Sequence, residues 1–576
     1  MSRKPWRSQR LLVGLRLLRN LRIDERHTLL LWAAVCGVLG ALAALGFKEL
    51  TAWVLFLFTG SHEGFVDAFS SIPPWQRLVV PIVGALICGL ILQFGTARVK
   101  SQNTDYMEAV TLGDGVVGFR SSIIRSLAAM FAIAGGESIG REGPLVQIAA
   151  LVSSLWGRLR HLPPARMRMM VACGAAAGLA GVYHSPLGGA FFVAEVVIGS
   201  IAMETLGPLL IASTVSALTV QTLEGFDPIY LFPQFSQSGP ADIGAYAIAG
   251  IAMGLASFVW IRLLSGSKTA FKRLHLPLWA RLTLGGLLIG LIAMRHPEIC
   301  GNGKSLIQGI LADQYTVTAI AILLGLKVAA TCISFGSGAI GGVFTPSLLV
   351  GSVLGFLFGA LLNLAHFSIV PAEMALISMG AFLAAATNAP AMSILMIFEM
   401  SMQYQVVLPL MVSTVIAYAT ARSLSRRGLY SHSLMHGARG VLDRPLGQIT
   451  IADMMRTQPH YVESDASFPV IAGAFLREPR QEIWVHAPFG FMGSIRLEEV
   501  GPFLRDSASA ETVLAMDIVD ESTPRLAPET TIAEAFKVFA GTSLTRLPVL
   551  DADGVLIGEV PRSDIFLTIS EIARRG

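Results

Sequence analysis

Between Leu29 and about Ala421 the chain is apolar almost without relief, but its apolar runs come in two lengths. Some are long enough to cross a bilayer as helices: residues 28–58, 77–95, 203–223, 242–265 and 342–365. Others, at 121–135, 142–156, 186–199 and 391–401, are cut short by Gly, Pro or a charge. A bilayer core takes about 20 helical residues to cross, so the short runs stop partway. A helix end facing lipid leaves costly unpaired N–H and C=O groups; the same end is tolerated where it lines a cavity inside the protein. Many short, broken helices therefore predict a buried polar pathway.

Composition agrees. Of 576 residues 53% are hydrophobic and only 14% charged, against about 25% charged in soluble domains, and the mean hydropathy is +0.62. The basic segment 1–27 carries eight Lys and Arg, and the positive-inside rule places it in the cytoplasm. The run that follows is too long for a signal peptide. The five cysteines fall in or beside apolar segments without metal or disulfide spacing and read as small core residues. No Ser/His/Asp set, metal motif or phosphate loop stands out, so an enzyme is not expected, and a net charge of +4 gives no case for nucleic acid. Composition changes near Leu434. Residues 433–448 read as a linker, and 449–576 have soluble composition, with short alternating strands at 483–487, 546–551 and 555–560 separated by amphipathic helices.

Two internal repeats set the architecture. In the apolar part, SIGREGP (138–144) resembles AIGGVFTP (339–346), and GAAAGLAGVYHSPLGGAFFVAE (174–195) resembles GAFLAAATNAPAMSILMIFE (380–399). The offsets are 202 at Pro144/Pro346 and 204 at Pro186/Pro390. Two halves, about 28–225 and 240–432, are expected as inverted repeats with a site between them. In the tail, TIADMMRTQP (450–459) resembles VLAMDIVDESTP (513–524), giving two units of about 449–505 and 513–570.

The stretch Gly140–Pro144 (GREGP) carries the chemistry. Its glycines let backbone approach a ligand, and Pro144 fits the first turn of a helix. A helix start offers free N–H groups and partial positive charge, and so binds anions. Glu142 stands at that start. A carboxylate there is itself an anion able to occupy the site, and when protonated or displaced it admits a mobile ion: it is a candidate gate. In the second half Gly341 and Gly342 bring the amides of Val343 and Phe344 to another helix start, with Pro346 in its first turn. Two such starts make an anion cradle weak enough to release its ion.

GREGP, GGVFTP and GLYS (428–431), in this order, resemble the CLC chloride channel and transporter family, over about residues 28–432. TDYMEAV (104–110) and CGAAAGLAGVYHSPLGGAFFVAEV (173–196) are similar to its bacterial ClcB branch. The resemblance implies an all-α polytopic inner-membrane protein, homodimeric with one pore per subunit, and chloride conduction gated by Glu142, with voltage gating open. It assigns anion contacts to Ser101, Arg141, Gly143, Val343, Phe344 and Tyr430. Two departures follow. Where the family has a GSGIP-like loop, ungapped counting gives Lys100-Ser101-Gln102-Asn103-Thr104. Where exchangers often keep an inner proton-carrying glutamate, this chain has Val196. The main reading is therefore a passive channel, and the alternative a chloride/proton antiporter. Glu195 and Glu399, mates under the repeat, read as structural helix-terminal carboxylates. The tail resembles a pair of CBS domains, giving a small cytoplasmic α/β unit. Its expected role is dimer-stabilising or coupled to gating; the alternative is adenine-nucleotide binding through Asp564, disfavoured by Pro561 where a hydroxyl residue belongs. No cofactor or metal is expected. A CBS-regulated cation transporter is the remote alternative, disfavoured by the scarcity of carboxylates in the apolar segments.

Overall fold

A computed structural model describes residues 25–96, 105–111, 114–225, 228–230, 240–366, 369–425, 428–429, 449–456, 459–477, 481–500, 503, 513–542, 544–562, 564–565 and 568. The chain divides into two compact units, Met1–Leu434 and Met435–Gly576. The predicted linker lies outside the described residues, as does most of the basic N-terminal segment.

The first unit is helical. Its elements are α1 (Glu25–Thr59), α2 (Phe65–Ser71), α3 (Pro74–Thr96), α4 (Tyr106–Thr111), α5 (Phe119–Ala134), α6 (Glu142–Leu159), α7 (Pro164–Tyr183), α8 (Pro186–Phe192, continuing as a π turn over Val193–Ile198) and α9 (Met203–Glu224). The second half follows with α10 (Pro240–Arg273), α11 (Leu278–Ala293), α12 (Lys304–Leu311), α13 (Val317–Ser337), α14 (Phe344–Leu364), α15 (Pro371–Thr387), α16 (Pro390–Ser401) and α17 (Val407–Leu424). Among the described residues seven helices are long and apolar enough to cross a membrane: α1, α3, α9, α10, α13, α14 and α17. Outward side chains on them, such as Leu50, Trp53, Ile251 and Val259, are large and apolar, as a lipid-facing surface requires. Helices α7 and α15 are the opposite case. Nearly every side chain of α15 is buried, and α7 buries a run of Ala and Gly against α6. A helix that is apolar all round belongs in the interior.

The repeat is written into the backbone. Helix α7 ends at His184 in the left-handed region (φ 48°), Ser185 is extended (φ −125°, ψ 82°), and Pro186 restarts the chain as α8. Helix α15 ends at Asn388 (φ 60°), Ala389 is extended (φ −130°, ψ 79°), and Pro390 restarts it as α16. One left-handed residue stops each helix, and proline at the next first turn needs no N–H.

The second unit holds two related α/β units. Strands β1 (Tyr461–Glu463), β2 (Glu482–Ala487) and β3 (Gly490–Arg496) form one sheet in that order, β1 parallel and β3 antiparallel to β2. Strands β4 (Arg546–Leu550) and β5 (Leu556–Pro561) pair antiparallel in the other. Helices α18 (Phe468–Arg477) and α20 (Ile532–Ala540) precede β2 and β4, and the short α19 is Leu497–Val500. Ile451, Phe468 and Glu482 open elements that recur at Ala515, Ile532 and Arg546, a single spacing of 64 residues. The two units are bolted by buried carboxylates: Glu482 accepts from the N–H and hydroxyl of Thr545, and Glu559 from Trp484 Nε1 and Arg546.

Candidate anion pathway

The two glycine loops meet face to face. Gly140 N–H donates to Gly342 O at 2.6 Å and Gly342 N–H to Gly140 O at 2.7 Å, an isolated antiparallel bridge. Two residues beyond it on each strand the helices begin, α6 at Glu142 and α14 at Phe344. A Cβ on Gly140 would fall 1.8 Å from Glu142 Oε2, and one on Gly342 2.4 Å from it. Only glycine at both positions leaves room for the carboxylate to lie across the bridge.

Glu142 is 4% exposed. Its Oε1 accepts from the Tyr183 hydroxyl at 2.5 Å and from the Thr345 hydroxyl, and those two oxygens are 2.7 Å apart. Its Oε2, above the glycines, has no hydrogen-bond partner among the described residues. Tyr183 belongs to the first half and Thr345 to the second, so both halves hold the carboxylate, and by one oxygen only. Such a group is anchored but movable.

A cavity of about 200 Å³ reaches this carboxylate, lined by Glu142, Gly143, Gln147, Gly341, Gly342 and Val343 among others. The Val343 and Phe344 amides at the α14 start donate to no residue among those described. Gln147 adds a neutral wall, its Nε2 donating to Ser122 Oγ (2.8 Å) and its Oε1 accepting from Tyr106 N–H (3.1 Å). Gly143, Val343 and Phe344 are thus gathered at Glu142. Arg141 is not part of this wall; it lines two further cavities, of about 200 and 240 Å³, with Lys48 and Lys304. Ser101 and Tyr430 lie outside the described residues, with the whole Lys100–Thr104 loop. Leu429, next to Tyr430, lines the Glu142 cavity and donates its N–H to Ala386 O.

Val196 is buried in the π turn after α8. Beside it, Glu195 accepts from the amides of Ala391 (3.2 Å) and Met392 (2.7 Å), the start of α16. In exchange, Glu399 at the end of α16 accepts from Leu187 N–H (3.0 Å), Gly188 N–H (2.9 Å) and the Ser185 hydroxyl, the start of α8. Each half supplies the anion for the other's broken helix, so these two helix starts are filled by the protein itself, whereas those of α6 and α14 face the cavity.

Tyr183 and Thr345 were not legible as gate partners. Both sit inside the repeated stretches, but the spacing from Glu142, 41 and 203 residues, gives no local signal. In the second unit Asp564 forms an ion pair with Arg456 at 3.2 Å.

A family sequence model described as voltage gated chloride channel matches residues 83–422, and one for the CBS domain matches residues 515–571. A ClcB-like chloride channel protein of Ralstonia nicotianae is 42% identical over 420 residues, 72% of this chain and 98% of that protein. The voltage-gated ClC-type chloride channel ClcB of Escherichia coli is 36% identical over 415 residues, 71% of this chain and 99% of its own. Among solved structures, a slow cyanobacterial Cl⁻/H⁺ antiporter superposes with a TM-score of 0.63 at 23% identity, covering 72% of this chain and 99% of that one. A eukaryotic CLC transporter gives 0.65 at 19% identity, covering 94% and 99%.

Proposed function

The chain belongs to the CLC family of chloride channels and transporters, and from that premise we propose that it is a passive chloride channel with Glu142 as its gate. The observation that carries this is the Glu142 carboxylate lying across the Gly140–Gly342 bridge with Oε2 unbonded, beside free helix-start amides. In that position it is a tethered anion in the place of a mobile one. Swinging away breaks only the bonds at Oε1 and exposes the amides of Val343 and Phe344, which bind chloride by helix-start N–H groups and partial charge. Arg141 and Gly143 flank the entry, and the remaining anion contacts are assigned to Ser101 and Tyr430 by family resemblance. Passive conduction is favoured by Val196, a side chain that carries no proton where a relay needs one; ionisable groups inside a membrane are expensive and kept for such tasks.

The protein works as a homodimer with one pore in each subunit, its N-terminus and CBS tail in the cytoplasm. The tail adjusts gating or steadies the dimer rather than holding adenine nucleotide, a reading supported by Pro561 where a hydroxyl residue belongs.

Currents from the protein in planar bilayers test this reading. The reversal potential is expected to follow the chloride Nernst value at every pH gradient, and Glu142→Ala is expected to conduct with its pH dependence lost. A reproducible shift of reversal potential with the pH gradient establishes proton exchange and puts the antiporter reading first. Unchanged pH dependence in Glu142→Ala removes Glu142 as the gate.

A further inference from the structure

In front of Glu142 stands a group of charges of which the pathway described above uses only Arg141. Arg141, Lys48 of α1 and Lys304, the first residue of α12, line the same two cavities of about 200 and 240 Å³. Three elements remote in sequence thus bring three cations to one place. One of them is compensated: Lys48 Nζ lies 2.6 Å from both carboxylate oxygens of Glu224 at the end of α9. The side chains of Arg141 and Lys304 make no hydrogen bond or ion pair among the described residues. Glu63 is exposed at the rim of the larger cavity, and His184 and His62 border the smaller and the larger.

Membrane topology does not account for the cluster. Lys48 stands 23 residues after Glu25, about 35 Å along the helix, so these cations lie on the membrane face opposite the N-terminus. The positive-inside bias works against Lys and Arg there. Nor are they dispersed. Lys304 lies outside every candidate span, and burial first, then the nearness of Arg141 and Lys48, draws its ammonium below the usual lysine range. Like charges held together at a cost, in a recess with low-dielectric walls, concentrate counter-ions.

Resting on the chloride-conduction reading, we propose that Arg141 and Lys304 form a capture site for small monovalent anions in front of the gate, and that the Lys48–Glu224 ion pair sets its affinity. The site holds a hydrated halide by charge rather than by shape, so it feeds the gate without selecting among halides. Glu224 is its brake: it withholds Lys48 from the anion.

The two variants that test it pull in opposite directions, and neither residue touches the gate. Chloride flux is measured in symmetric solutions over a range of chloride concentration. Lys304→Gln is expected to raise the half-saturating chloride concentration about threefold, the effect of one charge at roughly 6 Å across water, and to flatten the dependence of flux on ionic strength. Glu224→Gln is expected to lower it by a similar factor. Lys304→Arg keeps the charge and is expected to match wild type, which separates charge from packing if Lys304→Gln folds poorly. Equal half-saturation in all variants, shifts of one sign, or a loss of flux at saturating chloride in a monodisperse variant overturns the capture site. A wild-type protein that passes no chloride overturns the conduction reading instead.

Discussion

At the scale of single residues, the gate is defined by what holds one carboxylate oxygen. The Tyr183 hydroxyl donates to Glu142 Oε1 across 2.5 Å, and a hydrogen bond to an ionised group is worth about 1.5 kcal/mol or more. Tyr183→Phe removes that donor while keeping the ring, which packs 5.2 Å from Phe344. The expected result is a gate that opens more readily, with chloride flux near neutral pH up to roughly tenfold above wild type and thermal stability little changed. Flux at or below the wild-type level rules out a holding role for Tyr183. Glu142 itself was legible in the sequence, because a carboxylate between two glycines at a proline-marked helix start is an unusual local pattern. Tyr183 and Thr345 were not, since a hydroxyl reveals its partner only once the halves are docked. Lys327 was equally hidden. It reads as one cation in an apolar helix, yet it is 1% exposed and donates to Ile299 O (2.6 Å) and Gly301 O (2.7 Å), tying α13 to the turn before α12.

At the scale of elements, broken helices were the most readable feature, because Gly, Pro and run length carry the signal directly. Runs 186–199 and 391–401 appear as α8 with its π turn and as α16, each begun by the predicted proline. The run from 142 goes further than hydropathy indicated, to Leu159, with Arg158 in its last turn donating to Val117 O. What the sequence could not convey is the exchange of carboxylates between halves. Glu399→Ala takes the acceptor from two amides and the Ser185 hydroxyl at the α8 start. The expected cost is about 3 kcal/mol, seen as a lower unfolding temperature in detergent, and Glu195→Ala, which frees two amides, is expected to cost less. An unchanged melting temperature in Glu399→Ala contradicts the capping role.

For the molecule as a whole, the division into a transport unit and a tail makes a plain prediction. Every described pathway contact lies within the first unit, so a chain lacking residues 445–576 is expected to pass chloride still, with altered gating at most. Abolished flux in a well-folded truncated dimer makes the tail part of the permeation machinery. Within the full-length protein the tail has its own pH limit. Two donors from Ser522, helped by Arg496, hold the Asp520 carboxyl below the usual range. A depressed folded value means its contribution is present above the unfolded value and is lost as pH falls through the folded one, so the stability Asp520 contributes to the tail is lost on the acid side. The exchanged carboxylates bear also on how the first unit is made. The amide of Gly188 waits for an acceptor 211 residues further along the chain. At a synthesis rate of about 5–20 residues per second, that is roughly 10–40 s during which the first half is inserted but incomplete. A ribosome that stalls in this interval leaves a half-protein with an open helix end in the membrane, a substrate for quality control before the second half arrives to close it.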